Sequence, residues 1–174
     1  MYRLALIALI VAGLGGSFFT VESLAVFTDT TSNEDNLFAT GQVQIDSAPA
    51  AAMFEVNNMA PGDTENGQLT IGNGGTLELR YVMTTVVDDT GADLSNVLEL
   101  EIKTEGSGCG AWDGTSLYDS TLAGATLGAR VLGAGTGEVL CFRVHLPIGT
   151  GNTYQGTSTL ATFTFDAEQT ANNP

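Results

Sequence analysis

Few residues in this chain are of types that do chemistry. His145 is the one histidine, and Cys109 and Cys141 are the only cysteines, among 174 residues with 20 acidic and 5 basic side chains. A zinc-protease helix needs the two histidines and the glutamate of HExxH, and that motif is absent. So are GxSxG and a glycine-rich phosphate loop followed by lysine. A serine triad would have to run through His145, which stands beside Arg143 on the polar side of an alternating run, the position of an exposed surface histidine. Asp88, Asp89 and Asp93 flank Gly91 without the ligand spacing of an EF-hand. A solvated acidic turn accounts for them, with weak calcium binding as the alternative. No carboxylate pair of the glycosidase kind stands out. The expectation is no catalytic residue, no metal ligand set, no cofactor, and hence no enzyme.

Charge narrows the partners. The net charge is −15, and removing the first 25 residues leaves it unchanged because Arg3 and Glu22 cancel. Such a surface repels phosphates, so nucleic acid and anionic lipid are poor partners. A secreted soluble protein fits this balance, as does adaptation to high salt, where screening weakens self-repulsion.

The N-terminus explains the secretion. Arg3 is followed by an apolar run from Leu4 to Phe19, and Ser23-Leu24-Ala25 offers small residues where a signal peptidase reads. The expected cut lies between Ala25 and Val26. A retained membrane anchor is the alternative, disfavoured by Gly13, Gly15 and Gly16. Export to an oxidising compartment makes one Cys109–Cys141 bridge the expected state, with two buried thiols as the alternative.

The elements that position these residues are strands. Ala161, Phe163, Phe165 and Ala167 alternate with polar residues between Thr159 and Glu168. Leu140, Phe142, Val144 and Leu146 alternate with Cys141, Arg143 and His145. Val97–Thr104 and Leu77–Met83 repeat the pattern, and Gln42–Asp46, Ala52–Val56 and Gln68–Ile71 are shorter candidates. Pro61-Gly62-Asp63, Asn73-Gly74-Gly75, Gly106-Ser107-Gly108 and Gly149-Thr150-Gly151-Asn152 punctuate the runs. One helix is conceivable between Leu117 and Leu132, against Gly124 and Gly128. The expected fold is an all-β, antiparallel, jelly-roll-like sandwich of about seven or eight strands. Its parts are a cleaved signal peptide (1–25), an N-terminal segment (26–40), the sandwich (41–168) and a polar tail (169–174).

The segment after the cut opens apolar at Val26-Phe27, turns polar through Thr28-Asp29 to Asp35, and becomes apolar again at Leu37-Phe38. Such an extension can pair with its own sheet edge or with a neighbour's. Here the chain resembles the TasA/camelysin family of secreted fibre proteins. Ala25-Val26-Phe27-Thr28-Asp29 looks like that family's processing site and first mature residues, and Asn36-Leu37-Phe38-Ala39-Thr40-Gly41-Gln42-Val43-Gln44-Ile45 like one of its strands. Pro61-Gly62-Asp63, Asn73-Gly74-Gly75-Thr76, Asn152-Thr153-Tyr154-Gln155-Gly156 and Phe163-Thr164-Phe165-Asp166-Ala167-Glu168-Gln169 are similar to further family elements, in the same order.

The resemblance implies a jelly roll, export, cutting by a dedicated signal peptidase, and assembly into extracellular matrix fibres. In those fibres the freed N-terminus completes the sheet of the next subunit. Val26, Phe27, Thr28, Asp29, Leu37 and Phe38 are then the expected donor-strand residues, and the expected partner is a second copy in a head-to-tail homopolymer, with an accessory or anchoring matrix protein as a further candidate. The family's other name refers to a metalloprotease activity for which this sequence offers no matching zinc ligands. A camelysin-like secreted metallopeptidase and a monomeric adhesin or sugar-binding sandwich remain as alternatives.

Overall fold

In the computed structural model, residues 37, 39–56 and 58–171 are described. The chain divides into two compact units, Met1–Phe38 and Ala39–Pro174. Of the first only Leu37 is described, so the expected signal segment and most of the expected donor segment lie outside the described residues.

The second unit is an antiparallel β-sandwich. Its strands are β1 (Ile45–Ala48), β2 (Thr64–Asn73), β3 (Leu79–Thr90), β4 (Glu99–Thr104), β5 (Ser116–Thr121), β6 (Thr126–Leu132), β7 (Gly137–His145) and β8 (Ser158–Gln169). One sheet has the order β1-β2-β7-β4-β5 and the other β6-β3-β8. Single 3₁₀ turns at Leu94–Asn96 and Asn152–Tyr154 complete the regular structure among the described residues.

The period-two runs form these strands because each has one apolar side to bury. Leu69 and Ile71 of β2, Leu79, Tyr81 and Met83 of β3, Leu100 and Ile102 of β4, and Leu140, Phe142 and Val144 of β7 meet in one core. Phe142 of β7 packs on Phe163 of β8, ring centres 5.4 Å apart, tying the two sheets face to face, and Tyr81 packs on Phe165 at 5.9 Å across neighbouring strands of the smaller sheet.

Three expectations need correction. The residues from Leu117 to Leu132 make no helix: β5 and β6 occupy them, with the turn between at Gly124 (φ +69°). Gly124 and Gly128 weigh against a helix, and pairing of β5 with β4 and of β6 with β3 makes these residues strands. Ala52–Val56 is not a strand; Met53 and Phe54 instead pack on the core from an irregular segment. The tail is tied further than expected, since β8 runs to Gln169 and the Thr170 N–H donates to the Glu78 carbonyl.

Two ends of the sandwich matter below. At one, β3 begins and β8 finishes, with Leu79 opposite Gln169; at the other, Thr90 faces Ser158. Asn73, 2% exposed, organises the first end: its amide donates to the carbonyls of Leu77, Leu132 and Gly133, joining the two sheets. The chain reaches the sandwich there, because Gln42 N–H donates to Thr76 Oγ1 and the Gln42 carbonyl accepts from Thr76 and Leu77. Gly75 must be glycine, since a Cβ would collide with the Gln42 carbonyl oxygen.

Candidate assembly edge

The residues that suggested chemistry are occupied structurally. His145 Nδ1 lies 2.9 Å from Thr64 Oγ1 and 3.0 Å from the Asp63 carbonyl oxygen. A carbonyl only accepts, so Nδ1 bonding it carries a proton and offers no lone pair. Asp89 accepts from the Ser95 N–H (3.0 Å) and Oγ (2.6 Å), fixing the 3₁₀ turn after β3. Burial pushes the Asp89 carboxyl up, but the Ser95 hydrogen bonds outweigh it and hold it below the ordinary range. Asp93 precedes the same turn without a capping side-chain bond, so of these acids it is Asp89 that fixes the turn.

The outer face of the larger sheet carries a built polar cluster. Cys109 and Cys141 form a disulfide with Cα atoms 5.2 Å apart, holding the β4–β5 loop to β7. Trp112 of that loop, at φ +57°, donates from Nε1 to Glu101 Oε2 at 2.8 Å. The Arg143 guanidinium stacks 3.7 Å from the centre of its ring, and Lys103 Nζ lies 2.9 Å from Glu101 Oε1. Burial works against the Glu101 charge, yet Lys103, Trp112 and Arg143 together hold its carboxyl below the ordinary range. The sequence signalled the cysteines and the alternation. It gave no sign that Trp112 would fold back onto Arg143, because loop positions have no period.

A second cluster ties the sheets. Tyr81 Oη donates to Glu138 Oε1 at 2.8 Å, and Arg130 Nε donates to the same oxygen at 2.8 Å while its Nη2 bonds Oε2. Burial, then the Glu138 hydrogen bond, push the Tyr81 hydroxyl far above its usual range. A tyrosine within an apolar row was the available signal.

A zinc centre does not fit the described donors. A shallow cleft of about 280 Å³ is lined by Glu99, Glu101, Asp119 and His145, but Glu101 is committed to Lys103 and Trp112, and His145 is the one imidazole there. Among the described residues no group of three or more His, Cys, Asp and Glu side chains is placed to hold a metal ion.

What remains is an edge. β8 pairs with β3 over its whole twelve residues, and with no other strand among the described residues. Its inward row, Ala161, Phe163, Phe165 and Ala167, is half-buried, whereas the facing Leu79, Tyr81 and Met83 of β3 are fully buried. Of the expected donor residues, Leu37 is 88% exposed; Val26, Phe27, Thr28, Asp29 and Phe38, and Ala25 at the expected cut, lie outside the described residues. Among the described residues no helix is long and apolar enough to cross a membrane.

A family model described as camelysin metallo-endopeptidase matches residues 3–104. No curated protein matches the chain.

Proposed function

The chain belongs to the camelysin metallo-endopeptidase family, and we propose that it is a structural subunit of an extracellular fibre and not a peptidase. The mature chain begins at Val26, after a signal peptidase removes residues 1–25. It assembles by β-augmentation: Val26 to about Thr40 leaves its own domain and adds as a strand to the sheet of the next copy. Main-chain hydrogen bonds supply strength, and Val26, Phe27, Leu37 and Phe38 fill apolar pockets, each worth about 1.5–3 kcal/mol when fully buried. The contact is head-to-tail and does not close on itself, so it builds filaments.

The observation that carries this reading is the open edge of β8 with its half-buried apolar row. A monomer that ended its sheet there would leave a long template for strand addition. The test is electron microscopy of purified chain beginning at Val26, in which filaments are expected; dispersed monomers at all concentrations would refute the proposal.

The family's printed description favours a second reading, a secreted metallopeptidase. An assay of casein cleavage with and without chelator separates the two, and the fibre reading expects no chelator-sensitive cleavage.

A further inference from the structure

We propose that the outer face of the larger sheet binds a neutral oligosaccharide, laid across four strands in the two clefts that flank Arg143. The proposal goes beyond the fibre reading and does not depend on how subunits join.

The register builds the site. Asn66 of β2 lies opposite Arg143 of β7, Arg143 opposite Glu101 of β4, and Glu101 opposite Asp119 of β5. Residues directly opposite in an antiparallel ladder point to the same side, so these side chains form one polar row on the outer face. His145, opposite both Thr64 and Glu99, belongs to the row beside it. Arg143 lines both clefts. One, of about 280 Å³, also takes in Glu99, Asp119 and His145; the other, of about 240 Å³, takes in Asn66, Gln68 and Gly110 of the β4–β5 loop.

Donors and acceptors are divided between the two clefts. Arg143 Nε donates to Asn66 Oδ1 at 3.0 Å, and Nη1 stands 3.8 Å from Glu101 Oε2. Both Nη groups therefore keep N–H donors that no hydrogen bond among the described residues uses. The Asn66 amide is bonded through its oxygen alone, and the Gln68 amide has no partner among the described residues, so both add free N–H groups. In the other cleft Glu99 and Asp119 have no hydrogen bond or ion pair among the described residues, and an ionised carboxylate only accepts.

A ligand spanning the row has to satisfy both halves. An anion pairs with Arg143 but meets the charges of Glu99 and Asp119. A cation pairs with those carboxylates but meets Arg143. A hydroxyl group both donates and accepts, so a polyhydroxylated chain fits both clefts without a like-charge contact. The net charge of −15 further repels an acidic glycan. Four strands cover about 14 Å at the usual strand spacing, a length for several linked sugar rings and not for one. The row is also held in place without a ligand. Trp112 stacks on the Arg143 guanidinium and bonds Glu101, and the Cys109–Cys141 bridge ties its loop to β7. A guanidinium fixed in this way has little freedom left to lose on binding.

The test is calorimetric titration of the chain beginning at Val26 with maltotriose, cellotriose, xylotriose and mannotriose, and with trigalacturonate and tetralysine as charged probes. At least one neutral trisaccharide is expected to bind with a dissociation constant below about 10 mM, and more tightly than either charged probe. Glu99→Ala, Asp119→Ala and Gln68→Ala change exposed residues, so each variant should keep wild-type circular dichroism and bind about tenfold more weakly. Trp112 is the only tryptophan, so its emission in the unaltered chain should shift on binding, a readout that needs no variant to fold. Folded wild-type chain that binds no neutral trisaccharide overturns the proposal. Tighter binding of trigalacturonate or tetralysine overturns the ligand class. Neutral binding that leaves Trp112 emission unmoved, or that all three folded variants retain in full, places the sugar elsewhere and overturns the site.

Discussion

Each of the cations Arg80, Lys103, Arg130 and Arg143 is paired with a glutamate: Glu168, Glu101, Glu138 and again Glu101. Positive charge is thus spent at fixed joints, and the acidic excess is left to the surface. The joints have consequences that can be measured. Replacing both Cys109 and Cys141 with Ser removes a bridge across 32 residues of sequence, and a loss of roughly 3–4 kcal/mol is expected from denaturant titration. Tyr81→Phe strips Glu138 of one donor in a half-buried setting and should cost about 1–3 kcal/mol by the same measurement. Asp89 sets a pH dependence. Its folded-state pKa lies below the ordinary value of 3.8, so its contribution is present above that value and is lost as pH falls through the folded pKa. Neutralising other surface acids relieves repulsion over the same range, so the comparison with Asp89→Asn is the informative one. Between about pH 5 and about pH 3 the wild-type melting temperature should fall further than that of the variant. Parallel curves would remove Asp89 from the account.

At the scale of elements, the strands carry the core and the turns carry the corrections. Phe142 is fully buried on β7 and stacked on Phe163, so Phe142→Ala should cost about 3–5 kcal/mol in thermal or denaturant unfolding. β3, β4, β7 and β8 were legible in the sequence because each has one apolar side and one polar side over at least two full periods. The stretch from Leu117 to Leu132 was harder to read. Its leucines recur every five residues, a spacing that marks neither a helix face nor a strand face, and long-range pairing with β3 and β4, invisible to local spacing, decided for strands. Ala52–Val56 failed for a related reason: Met53 and Phe54 do reach the core, but the segment joins neither sheet. The open edge had only half a signal. The inward row of β8 was plain in the alternation, whereas its being an edge follows from strand order, which no local pattern records.

The chain is strongly acidic, and its described residues form a sandwich of five strands on three in which β8 pairs with β3 alone. Like copies at −15 repel one another, so assembly should quicken as salt shortens the Debye length from about 30 Å at 0.01 M to about 8 Å at 0.15 M. Light scattering during elongation measures this; a rate that falls with salt would point to attractive charge pairing between subunits instead. The central claim is that the mature N-terminus joins one subunit to the next. Its most direct test compares two chains by negative-stain electron microscopy, one beginning at Val26 and one lacking Val26 to Asp35, both verified as folded by circular dichroism. Filaments from the first and folded monomers from the second are the predicted result. Filaments of equal number and length from both would contradict strand exchange.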